Sequence, residues 1–203
     1  MKLFFSPGAC ALHAQIAMRE AGLDFELVRV DLRAHTFGEG ADFYGVNPKG
    51  YIPVLELDDG TRLTEGAVIV QFIADKRPAA GMLPPGGTLE RVRVQEWLHF
   101  IATEIHKPFL PLFNPRASDE TKAPLRAKLE LRFDYVERSL GSGPFFLGET
   151  FTVADGYLFN MLRWAQVVGM DLARWPRITA LYAGVESRPT VRASIEAEGW
   201  RPS

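Results

Sequence analysis

Along the first 80 residues the spacing of apolar and polar positions changes several times, and each change predicts a new element. KLFF at 2–5 is a short apolar run that stops at Pro7-Gly8, after which Leu12, Ile16 and Ala17 recur at helical spacing until Gly22, so a strand is followed by a helix. FELVRVDL at 25–32 is rich in β-branched and apolar residues and predicts a second strand. AHTFGEGADFYGVNPKG is punctuated by glycine and proline and predicts mostly loop, with a short helix around 41–44. YIPVLEL and TRLT flank Asp58-Asp59-Gly60, the signal of an antiparallel hairpin. In EGAVIVQFIADKRP, Ile69, Phe72, Ile73 and Lys76 fall at i, i+3, i+4 and i+7, a helix that Pro78 ends. The remainder reads as helix with Gly/Pro breaks, its first helix carrying an apolar stripe of Leu89, Val92, Trp97, Leu98, Ile101 and Ile105. The expected organisation is a mixed α/β domain over 1–80 in the order βαβαββα, a linker over 81–88 and an all-helical domain over 89–203.

Composition narrows the partners. The 203 residues are 47% hydrophobic and 24% charged, the balance of a globular protein, and a net charge of −2 with interleaved signs leaves no basic field for nucleic acid. No apolar run reaches the roughly 18 residues of a membrane span, and MKLFFSPGAC is too short in apolar residues for a signal-peptide core, so a cytoplasmic location and no membrane partner are expected. Cys10 is the only cysteine, so any disulfide it forms is with another molecule.

Four places carry candidate chemistry. Cys10 sits just before the first predicted helix, where it is either a buried filler or a thiol whose thiolate the helix end favours. Glu65-Gly66 stands at the head of another helix; Glu65 is either a plain dipole partner or, with the helix N–H groups, a receptor for an amino-acid head group. His99, Thr103 and His106 fall on one helical face, either solvated or a row of hydrogen-bonding groups, and two turns with no cysteine or carboxylate alongside argue against a metal. FTVADGYLF at 151–159 predicts a capping box between Thr152 and Asp155, with the usual hydrophobic staple missing because residue 156 is glycine. Trp164, Trp175 and Phe159 read as core.

SPGAC, NPKGYIPVLEL, LTEGAVIVQFIAD, EWLHFIATEIHKPFLPLF and FTVADGYLF, in this order over nearly the whole chain, resemble the bacterial beta-class glutathione S-transferases. That resemblance implies a thioredoxin-like N-terminal domain, an all-α C-terminal domain, a homodimer, glutathione as co-substrate and no metal. It implies a cis peptide before Pro53 and assigns glutathione contacts to Cys10, His35, Ile52, Pro53, Glu65, Gly66, His99, Thr103, Glu104, His106 and Lys107. Cys10 and His106 take the catalytic roles, and Phe109, Leu110 and Phe113 line the place of a small hydrophobic electrophile. The chain departs from the family's usual pattern at Phe5, Ala11, His35 and His99, where tyrosine, serine, lysine and asparagine are common. The expected function is conjugation of glutathione to hydrophobic electrophiles in detoxification, with glutathione-dependent disulfide or peroxide reduction through a mixed disulfide at Cys10. A ligandin-like binding protein and a thiol–disulfide oxidoreductase with little conjugating activity are the alternatives.

Overall fold

The computed structural model describes residues 1–200, in two compact units. The first runs from Met1 to Ala80 and takes in the chain again over residues 189–200; the second is Gly81–Arg188. The last helix is therefore part of the first unit, which a single cut near residue 80 does not anticipate.

The first unit is built on strands β1 (Lys2–Phe5), β2 (Glu26–Asp31), β3 (Thr36–Phe37), β4 (Ala41–Asp42), β5 (Val54–Glu56) and β6 (Arg62–Thr64), with helices α1 (Leu12–Glu20) and α2 (Gly66–Lys76). The sheet order is β4-β3-β2-β1-β5-β6. β1 runs parallel to β2, as the intervening α1 crossover requires, and antiparallel to β5, with Phe4 opposite Val28 on one side and Val54 on the other. The Asp58-Asp59-Gly60 turn joins β5 and β6 in the expected antiparallel hairpin. The short helix expected at 41–44 is instead strand β4 followed by one 3-10 turn over Phe43–Gly45, started by the Asp42 carboxylate accepting from the Tyr44 N–H. Phe4, Val30, Phe43 and Val54 meet in the core of this unit.

The second unit contains α3 (Leu89–Phe100), a π-helical stretch over Ile101–His106, α4 (Lys107–Leu112), α5 (Asp119–Ser139), α6 (Val153–Val167) and α7 (Pro176–Glu186); the final helix α8 (Pro189–Glu198) packs on α1. The apolar stripe of α3 differs from the one expected. Leu89 and Val92 are exposed, and the buried row is Val94, Leu98, Ile101 and Ile105. Trp164, Trp175 and Phe159 are buried as read from the sequence.

At the start of α6 the capping box forms. The Asp155 carboxylate accepts from the Thr152 N–H and hydroxyl, both at 2.7 Å, and from the Phe146 N–H at 2.8 Å. Phe151, lacking a staple partner, packs edge-to-face on Phe145 and lies under the Arg188 guanidinium, so the helix start is fixed by other means. Among the described residues no helix is long and apolar enough to cross a membrane.

Candidate active site

β1 delivers the chain into a tight turn, with the Ala9 N–H donating to the Ser6 carbonyl, and Cys10 follows two residues before α1 begins. Ala11 at the helix cap has no side chain with which to serve the first turn. The Cys10 thiol is half-buried and not in a disulfide, and its Sγ donates to the Ile52 carbonyl at 3.4 Å. That bond needs the proton on sulfur, whereas the helix end favours the thiolate, so the two influences oppose each other. On the other side of the turn the Gly8 N–H donates to the carboxylate of Glu198 at 2.9 Å, and Glu198 is buried. Gly8 has φ +75° and a Cβ there would meet the Trp200 indole at 2.8 Å, so only glycine fits. The loop that carries the thiol thus rests against the end of α8, 190 residues away in sequence.

Glu65 caps α2 with φ +67°, and its own carbonyl accepts from the Val68 and Ile69 N–H groups. Its side chain holds an ammonium, as its reading as a head-group receptor demands, but the ammonium is that of Lys49 at 2.5 Å, which also donates to the Thr64 hydroxyl. Both partners are exposed, and such a pair contributes only about 0–1 kcal/mol, so an incoming amine can compete with it. Ile52 and Pro53, joined by a cis peptide, are buried beside this turn's own unit core. His35 adopts φ +53° and stacks on Tyr44 with ring centroids 4.6 Å apart. Its Nδ1 is buried and finds no hydrogen-bond partner among the described residues.

In the second unit the expected face of three does not stay together. His99 donates from Nδ1 to the Gln95 carbonyl and Thr103 from its hydroxyl to the His99 carbonyl, both exposed on their own helix. His106 turns inward instead: Nδ1 lies 2.7 Å from the Tyr157 hydroxyl and the ring sits edge-on to Trp164 at 5.0 Å. The physical reason is the π-helical stretch. Its i→i+5 bonds widen the helix between Thr103 and His106, and Pro108, which has no N–H for the carbonyl four residues back, disfavours a regular α turn there. Burial, and then the neighbouring Lys107 charge, push the His106 value down to about 4, so the imidazole is neutral at neutral pH. In the tautomer whose Nδ1 accepts from the phenol O–H, the proton sits on Nε2 and can be given to an anionic acceptor.

The Glu104 carboxylate faces α5: Arg132 stands at 2.6 Å and Lys128 at 3.5 Å, and the Arg132 hydrogen bond is the main cause of its lowered pKa. Phe109 has no exposure and packs among Phe113, Phe133 and Trp164. Leu110 and Phe113 are exposed, as is Lys107.

Sequence reasoning passed over His13, Lys49, Tyr157 and Glu198. Tyr157 carries a usable signal, since a tyrosine in a helix as apolar as α6 buries a hydroxyl that needs a partner. Glu198 and Lys49 carry none, because acidic and basic residues in polar stretches read as surface. Among the described residues no group of three or more His, Cys, Asp or Glu is placed to hold a metal.

Models of the glutathione S-transferase N-terminal and C-terminal domains match residues 8–76 and 100–189. The chain is 46% identical to the glutathione S-transferase GstA of Escherichia coli O157:H7 over 98% of its length and 99% of that protein's. The fold superposes on a sphingomonad glutathione S-transferase complexed with glutathione with a TM-score of 0.93 at 44% identity, covering 98% of this chain and 99% of that one. A beta-class glutathione S-transferase of Sphingomonas chungbukensis gives a TM-score of 0.93 at 43% identity over the same shares of the two chains. With both domain models matched and the likeness spanning nearly every residue, the chain belongs to the glutathione S-transferase family.

Proposed function

We propose that this protein conjugates glutathione to small hydrophobic electrophiles, with a second activity in which Cys10 exchanges with disulfides through a mixed disulfide with glutathione. The observation that carries the first part is the near full-length likeness to a transferase whose structure is complexed with glutathione, joined to a thiol loop and a Glu65-Gly66 helix head built on one sheet. In this reading Glu65 and the first N–H groups of α2 take the γ-glutamyl end, the Ile52-Pro53 segment takes the cysteinyl amide and His35 takes the glycyl carboxylate. His106 and Cys10 act on sulfur, with His99, Thr103, Glu104 and Lys107 serving at the periphery, and Leu110 and Phe113 contact the electrophile. The second part is favoured by the placement of Cys10 at the start of α1.

The protein is expected to be retained on immobilised glutathione and released by the free tripeptide. Passage through the column unretained overturns the glutathione reading.

We also propose a homodimer in the cytoplasm. Leu89, Val92, Leu131 and Tyr135 are exposed on α3 and α5, next to a ring cluster of Trp97, Phe100, Tyr135 and Phe146. Exposed apolar side chains beside an aromatic cluster are suited to a subunit interface. Sedimentation equilibrium is expected to give twice the 22.7 kDa chain mass, and a species at the chain mass in micromolar protein refutes the dimer.

A further inference from the structure

His13 lies between the two parts of the first unit to which the proposed function assigns glutathione contacts. It is in the first turn of α1 and almost fully buried at 2% exposure. Its Nδ1 meets the carbonyl oxygen of Cys10. A carbonyl can only accept, so Nδ1 carries the proton and donates. The far edge of the ring is pressed against the head of α2: a Cβ at Gly66 would come within 2.6 Å of His13 Cε1 and 3.6 Å of Pro53 Cγ. Contacts under 3 Å do not occur between such atoms, and α2 is anchored by its packing on α1 and on the sheet, so the ring would have to move. This explains the glycine after Glu65 independently of any ligand. Gly66 is small because an imidazole occupies the space its side chain would need.

We infer that His13 is a positioning residue that couples the Cys10 loop to the Glu65-Gly66 head of α2, one end of its ring holding the thiol's own peptide and the other setting the distance of the helix head. The inference rests on the proposed glutathione reading for its functional meaning. A rigid strut of this kind gives the thiol loop and the head-group receptor one shared geometry, so a displacement at either end reaches the other. Interior packing transmits such strain because side chains there have no slack.

The test reads Cys10 without glutathione, by the rate of its alkylation with iodoacetamide across pH, in the intact protein. Gly66→Ala is expected to change that rate by about threefold or more, within the coupling range of residues in contact. In a His13→Asn background, where the amide still donates to the Cys10 carbonyl but no ring reaches Gly66, adding Gly66→Ala is expected to leave the rate unchanged. Equal factors in both backgrounds, or no change in either, overturn the inference. His13→Phe and His13→Asn give a second reading that does not depend on Gly66→Ala folding: the phenyl ring keeps the volume and loses the donor, so it shifts the rate, and asparagine restores it. Wild-type rates in both variants also overturn it. Glutathione affinity, followed separately by calorimetry, is expected to fall with Gly66→Ala. If the wild-type protein does not bind glutathione at all, that defeats the proposed function, while the alkylation results still decide the strut.

Discussion

Asp155→Ala is expected to lower the unfolding free energy by about 3 kcal/mol or more, because it strips the acceptor from three buried donors at once and each orphaned buried group costs about 1–3 kcal/mol. The donors are the Thr152 N–H, the Thr152 hydroxyl and the Phe146 N–H, around a Thr152 with no solvent exposure. The loss also depends on pH in a direction that can be checked. Burial pushes the Asp155 carboxyl up to about 6 against the ordinary 3.8, so the folded state binds this proton more tightly than the unfolded chain. Its contribution is therefore greatest at low pH and falls as pH rises from about 4 to about 6. The stability gap between wild type and Asp155→Ala is expected to shrink by about 1 kcal/mol between pH 5 and pH 7, measured as paired urea unfolding curves. A gap that widens with pH would mean that the three donors outweigh burial in setting the carboxyl's charge.

The capping box was legible because its chemistry is local: Thr152 and Asp155 are three residues apart and need nothing else to find each other. The hairpin at Asp58-Asp59-Gly60 was legible for the same reason. β3 and β4 were not, since two-residue strands are too short to show alternation and are held by their pairing with β2 and with each other. The stripe on α3 failed at Leu89 and Val92 because a hydrophobic residue marks a buried face only where something covers it, and the covered row begins at Val94. The candidate site divides along the same line. Cys10, Glu65 and Gly66 could be proposed from their position at helix ends, a backbone property that sequence shows. The inward turn of His106 depends on a π-helical stretch, and the capture of Glu104 depends on α5, 24 and more residues further on; neither leaves a mark in local spacing. The burial of Phe109 was not legible because an aromatic in an apolar stretch reads equally well as core or as a pocket wall.

His106→Ala is expected to reduce kcat/KM for conjugation to a generic aryl halide by about 10²-fold, the scale of losing one preorganised donor to a developing or resident anion, while Cys10→Ala leaves conjugation measurable. The split follows from what each group can do. Conjugation needs a thiolate on bound glutathione, and a neutral imidazole oriented by the Tyr157 hydroxyl can present an Nε2–H to it without changing charge. Because His106 titrates near 4, it holds that form across the working range, so the rise of rate with pH above 5 belongs to the thiol and not to the imidazole. The same depressed value makes His106 a source of acid lability. The unfolded chain takes up the proton below about 6.5 and the folded one does not until about 4, so up to about 3 kcal/mol of stability is lost as pH falls through that window, and His106→Gln removes the loss. Glutamine also retains an N–H, and is expected to recover part of the conjugation that alanine loses. Cys10, by contrast, is required where sulfur must bond to sulfur: its thiolate attacks a disulfide of glutathione, one glutathione thiolate leaves, and the protein keeps the other half as a mixed disulfide. Protein purified without reductant is therefore expected to carry one glutathione by intact-mass spectrometry, and Cys10→Ala to carry none and to lose disulfide reduction. If Cys10→Ala abolishes conjugation while His106→Ala leaves it whole, the two side chains have exchanged the roles assigned to them here.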